Sequence, residues 1–141
     1  MAFVRKQGKT KFMWLPVTTS TAIGADHLVA FSSGLLIEAT STTPSYSIMG
    51  GLRHAIASTD ADFATSRLVE VEVPVEKNVV WEADVTSALL STSYGVYYDI
   101  TDGDHVATTA STYDIVQCVK YISATKGWFV LNMGCDGHAK A

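Results

Sequence analysis

This sequence is poor in the features that usually mark chemistry. Its 141 residues hold only two cysteines, Cys118 and Cys135, too few for a disulfide framework. The expectation is two free thiols and no intramolecular bridge. No stretch approaches the roughly 20 consecutive apolar residues that a membrane span requires. Residues 1–10 are too polar for the core of a secretory leader, so standard export is not expected. A glycine-rich phosphate loop is missing, because Gly50-Gly51 has no lysine and serine at the required offset. None of His27, His54, His105 and His138 stands in a nucleophile motif with Ser or Cys. Long Glu/Lys/Arg/Leu stretches that build helices are also lacking, as are a repeat period and a dividing linker.

What is present points to strands. Valine occurs 15 times and Ser plus Thr 29 times, and β-branched side chains pack well on a pleated surface. The apolar fraction of 48% against 17% charged residues is that of a globular chain long enough for one core without staples. Val69, Val71, Val73 and Val75 alternate with Glu70, Glu72, Pro74 and Glu76, and Val79, Trp81, Ala83 and Val85 continue with the same period. Period two buries one face of a strand and wets the other. A turn at 76–78 would match the two apolar faces. It would also set Glu72 opposite Glu82 and Glu70 opposite Asp84, which is unfavourable. Either the two strands are not neighbours, or something positive covers that face.

Turn residues punctuate the rest. Ser32-Ser33-Gly34 and Asp102-Gly103 read as hairpin turns, Gly50-Gly51 as a bulge, and residues 86–93 as a short helix with Leu89 and Leu90 inward. Residues 113–122 and 127–132 read as the last two strands. The fold class expected is all-β: a small antiparallel barrel or sandwich with at most one short helix and an extended N-terminal arm. The domain plan is an arm over 1–17, one β domain over 18–133 and a flexible tail over 134–141.

Charge is unevenly placed. Residues 1–11 carry Arg5, Lys6, Lys9 and Lys11 and no acid, leaving six basic and fourteen acidic residues, a balance of −8, for the remainder. An acidic body argues against nucleic acid as the main partner. A basic segment followed by Phe12 and Trp14 suits a contact arm: charge aids encounter and an aromatic anchors. The candidate interface is therefore Arg5, Lys6, Lys9, Lys11, Phe12 and Trp14. The simpler alternative is a frayed terminus with Trp14 packed on its own domain.

The remaining clusters have plain readings. Asp99, Asp102 and Asp104 could offer oxygen to calcium, but the spacing fits no calcium loop, and aspartates cap turns. Cys135-Asp136-Gly137-His138 is at most half of a zinc site. Glu70, Glu72, Glu82 and Asp84 could serve as catalytic carboxylates, but a solvated strand face explains them. Trp81 and Trp128 read as core. No catalytic, cofactor or metal residues are assigned, and the chain reads as non-enzymatic.

The stretches Leu68-Val-Glu-Val-Glu-Val-Pro-Val-Glu76, Trp81-Glu-Ala-Asp84, Gly95-Val-Tyr-Tyr-Asp-Ile-Thr-Asp-Gly103, Val119-Lys-Tyr-Ile-Ser-Ala-Thr-Lys126 and Phe129-Val-Leu-Asn132 resemble segments of small structural proteins of tailed bacteriophages. Leu28-Val-Ala-Phe-Ser-Ser-Gly34 is similar to the opening strand and turn of phage capsid decoration, or cement, proteins. That resemblance implies a β protein made in the host cytoplasm that sits on the outer capsid surface of the virion. It implies contact with the major capsid protein, capsid stabilisation, homo-oligomer formation as a trimer, and no cofactor, nucleic acid or membrane. The competing readings are a head–tail joining or tail protein, a carboxylate or histidine hydrolase, and a host-surface or carbohydrate-binding module. The last would place Tyr97, Tyr98 or Tyr113 beside polar groups in a groove.

Overall fold

A computed structural model describes residues 3–76 and 78–132. Eleven strands occur among them: β1 (Val4–Gln7), β2 (Thr10–Pro16), β3 (Leu28–Ser32), β4 (Leu35–Glu38), β5 (Ile48–Leu52), β6 (Leu68–Pro74), β7 (Val80–Val85), β8 (Tyr97–Asp102), β9 (His105–Ala107), β10 (Val116–Ser123) and β11 (Lys126–Leu131). The protein is all-β, with a closed five-stranded barrel and a second sheet. The barrel runs β7-β11-β10-β8-β9, its ring completed by the parallel β7–β9 pairing, and β1 is an extra strand on β7. The second sheet runs β2-β6-β5-β3-β4, and a parallel bridge between Val17 and Leu36 brings its two edges together at one end.

Alternation sorts side chains into two cores. Val69, Val71 and Val73 join Val29, Leu36 and Leu52 in one cluster, under Ile23, Ile56 and Phe63 from the long connections. Trp81, Ala83, Ile100, Val106, Cys118 and Phe129 form the other, which extends to Phe3, Leu28, Ala30 and Ile48. Barrel and sheet thus share an interior through the face of β3 and β5 that carries Leu28, Ala30 and Ile48. Cys118 is a free, fully buried thiol, and burial pushes its ionisation above the ordinary cysteine value.

Local turn chemistry sets the hairpins. Ser33 and Gly34 both have positive φ, 53° and 83°, and Ser32 pairs directly with Leu35. That is a two-residue turn whose twist suits flanking strands. Asp102 pairs with His105 around Gly103-Asp104, and Ser123 with Lys126 around Ala124-Thr125. The Gly50 region carries the expected irregularity. Gly50 lies at φ 151°, and a Cβ there would run into the Glu72 carbonyl oxygen.

Three expectations are corrected. The segment read as a free arm is paired along its length: β1 lies against β7 and β2 against β6. Charge does not keep it detached: Arg5 meets Glu72 of β6 and Lys6 meets Glu82 of β7. Of the two alternatives left open for the run 69–85, the first holds: the strands are not neighbours. β6 belongs to the sheet and β7 to the barrel, and Val75 is exposed at the corner between them. Residues 86–93 form bends and turns, not a helix. The Leu89 N–H donates to the Ala124 carbonyl at 2.9 Å, a tertiary pin in place of a helical bond, and Leu90 points to solvent, 60% exposed. Trp81 is core as expected. Trp128 lies opposite Glu82 on the outer barrel face and donates Nε1–H to it at 3.1 Å. The expected tail and Cys135/His138 lie outside the described residues.

Two substitutions probe this architecture. Val71→Asp places an unpaired charge in the sheet core and should cost about 4 kcal/mol or more in chemical denaturation. Gly50→Ala combines an unfavourable φ with a backbone collision, and should lower stability by about 2 kcal/mol or more in the same assay.

Candidate interaction surface

β2 and β6 run antiparallel with Phe12 opposite Glu72, Trp14 opposite Glu70 and Pro16 opposite Leu68. Side chains of directly opposed residues share a face. Phe12, Trp14 and Leu68 therefore rise together, 48%, 61% and 58% exposed. Three large apolar side chains standing out of a regular strand pair is a patch, not scatter. Their opposite-phase neighbours Met13 and Leu15 turn into the sheet core, so the strand is anchored from behind.

Arginines frame the patch. Arg53 holds its guanidinium 4.9 Å from the centre of the Phe12 ring, within range of a cation–π contact. Its Nε also lies 4.0 Å from Glu70. Arg5 reaches across from the barrel side and donates Nε–H to Glu72 at 2.6 Å, while the Thr10 hydroxyl donates to the same carboxylate oxygen at 2.8 Å. Charge-assisted bonds of this kind are short and directional. They fix Glu72, while Arg53 stands over the Phe12 ring beside Glu70.

Of the six residues singled out from sequence, Arg5, Phe12 and Trp14 come together here. Lys6 lies on the barrel side, 3.9 Å from Glu82. Lys9 is at the corner after β1, and Lys11 is opposite Val73, on the face away from Phe12. Leu68 and Arg53 belong to the surface and carried no warning in the sequence. Their place depends on cross-strand register.

A second group sits where the barrel meets the sheet. His27 directs Nδ1 at Glu38 Oε2, 3.0 Å away, and Nε2 at Asp104 Oδ2, 3.6 Å away. The Gly103 N–H donates to Glu38 at 3.1 Å, and a Cβ on Gly103 would collide with that side chain. The Leu28 N–H donates to the Gly103 carbonyl at 2.7 Å. The β8–β9 turn is thus latched onto β3 and β4. Asp102, Asp104 and His105 each offer one ligand atom within 4.8 Å of one another. These donors already engage each other, with His105 Nδ1 2.5 Å from Asp104 Oδ1. Asp99 is separate. Its carboxylate accepts the N–H groups of Thr112, Tyr113 and Asp114, 13 to 15 residues further on, instead of capping a turn of its own. Among the described residues no helix is long and apolar enough to cross a membrane.

No protein-family model, curated protein or solved structure matches the chain.

Acid should weaken this arrangement. Burial pushes the Asp104 carboxyl up, but hydrogen bonds with Asp102 and His105 and the nearby imidazoles outweigh it and hold it below the usual range. Asp60 is held low by hydrogen bonds from Arg67 and the Ala57 N–H. Asp26 is raised, chiefly by burial, and works in the opposite sense. A lowered carboxyl binds fewer protons folded than unfolded, so its contribution is full above the unfolded value and is lost as pH falls through the folded one. Melting temperature should therefore drop below about pH 4. Asp104→Asn should reduce that drop, as read by thermal melts between neutral pH and acid.

Proposed function

We propose that this chain is a virion structural protein that binds the outer face of an icosahedral phage capsid and stabilises contacts between major capsid subunits. The observation that carries this reading is the Phe12–Trp14–Leu68 patch with Arg5 and Arg53 beside it. Aromatic residues and arginine dominate binding energy at protein interfaces. A clamp needs such anchors on a rigid support, and here they stand on a paired ladder backed by a core. The resemblance of the segments over residues 68–132 to small structural proteins of tailed bacteriophages, and of Leu28–Gly34 to phage capsid decoration proteins, directs the reading to a capsid. The partner surface would be apolar at its centre and acidic at its rim. Self-association as a trimer and a place on the outer shell follow from the same resemblance.

Truncation is a poor test, because residues 4–16 supply two ladder strands. Point substitution is a clean one. Trp14→Ala with Arg53→Glu should leave the melting temperature within a few degrees of the parent, since both side chains are exposed. It should weaken binding to assembled shells lacking this protein by about 30-fold or more, the loss of one interface hot spot. Added salt should weaken the parent's binding and affect the double variant less. Shell binding equal to the parent's would overturn the reading.

A further inference from the structure

The barrel carries a second surface of different chemistry. Two stretches of sequence hold no charged residue: 85–98, between Asp84 and Asp99, and 106–113, between His105 and Asp114. The fold brings them together. β8 starts at Tyr97, and the segment after β9 returns beside it, enclosing an open depression of about 200 Å³. Its lining includes Val96, Tyr97, Tyr98, Thr108, Thr109 and Ser111.

The walls are pre-set. The Asp99 N–H donates to the Ala110 carbonyl at 2.8 Å, tying the returning segment to β8. The Asp99 carboxylate then fixes residues 112–114 with bonds of 3.1, 2.6 and 2.9 Å to their N–H groups. A buried acid thus fixes the backbone that directly follows the lining residue Ser111. On the other side the Tyr98 hydroxyl donates to Ser93 at 2.9 Å, so its ring is oriented as well. Tyr97 remains 41% exposed at the edge of the depression. The Thr108 hydroxyl is buried without a partner.

We infer that this depression binds a neutral sugar ring. Three features point to that class. An exposed tyrosine face offers a flat apolar platform for the C–H face of a pyranose. Thr109 and Ser111 bring to the lining hydroxyls that both donate and accept, which matches the hydroxyls of a sugar. The lining holds no charged group, so nothing in it compensates a phosphate, a carboxylate or an ammonium, and burying an unpaired charge is costly. Pockets of this kind bind through a few placed polar groups on an apolar floor. The site lies on the barrel, apart from the patch on β2 and β6, and its occupancy does not depend on that patch.

The test uses the full chain and ligand-observed NMR. Glucose, galactose, mannose and N-acetylglucosamine are the neutral probes, each also offered as a short oligosaccharide, with glucose 6-phosphate as the charged comparison. At least one neutral sugar should give saturation transfer, and glucose 6-phosphate should give none. Tyr97→Ala should weaken that binding about tenfold or more, while Tyr97→Phe, which keeps the ring, should retain it. Tyr97 is exposed, so Tyr97→Ala should keep the parent's circular dichroism and melt, which verifies that it folds. Absence of transfer from every neutral sugar would overturn the inference. So would binding that survives Tyr97→Ala unchanged, or preference for the charged sugar.

Discussion

The rest of the structure hangs on one two-stranded ribbon. Residues 4–16 run antiparallel to residues 68–85, and both strands leave one sheet and enter the other at the same corner. On one side Val4 and Arg5 pair with Glu82 and Trp81 in the barrel. On the other, Thr10 to Pro16 pair with Pro74 to Leu68 in the sheet. The Val75 N–H donates to the Lys9 carbonyl at 3.1 Å between them, so the ladder persists through the bend. Gly8 permits the corner, with φ 96° and no room for a Cβ against the Val79 backbone. The alternation is kept, but the core it feeds changes. Val69 to Val73 fill the sheet's interior, and Val79 to Val85 fill the barrel's.

This ribbon also resolves the like-charge conflict in the sequence. Glu70 and Glu72 never face Glu82 and Asp84, because their strands lie in different sheets. Each pair meets cations instead. Arg5 bonds Glu72, Arg53 approaches Glu70, and Lys126 lies 3.9 Å from Glu82 and 3.8 Å from Asp84. Exposed pairs at such distances contribute little each. Their value here is register: a slip of one residue would set acids against the wrong face.

What was legible in the sequence was local. The Ser33-Gly34 and Gly103-Asp104 turns depend on residues adjacent in the chain, and the buried phase of Val69 to Val73 depends on period two alone. What was not legible required a partner many residues away. Arg5 and Lys6 look unpaired only until Glu72 and Glu82 arrive beside them, which is why a ladder strand was read as an arm. Trp81 and Trp128 look equivalent, yet Gly127 and Phe129 take the inward phase of β11 and leave Trp128 outside. Phe12 and Trp14 could be suspected from composition, whereas Leu68 and Arg53 join them only through cross-strand register. Tyr97 was noted, but the loop that faces it is placed by Asp99, fourteen residues before Tyr113.

The ribbon has a consequence in time. In a chain made from its N-terminus β1 and β2 emerge before their partners, and the partner of Val4 is Glu82, 78 residues downstream. At about 5–20 residues per second that interval is on the order of 4–16 s. For most of it, until β6 follows, Phe12, Trp14 and the edge of β2 have no ladder to join, and β1 waits longer still for β7. Closing so long a loop costs entropy that only the completed ribbon offsets. The hairpin of β3 and β4 needs no such wait, since its turn is two residues long. These two strands are therefore made before, and secured after, the β3–β4 hairpin, and the nascent chain carries Phe12 and Trp14 uncovered until β6 has been synthesised.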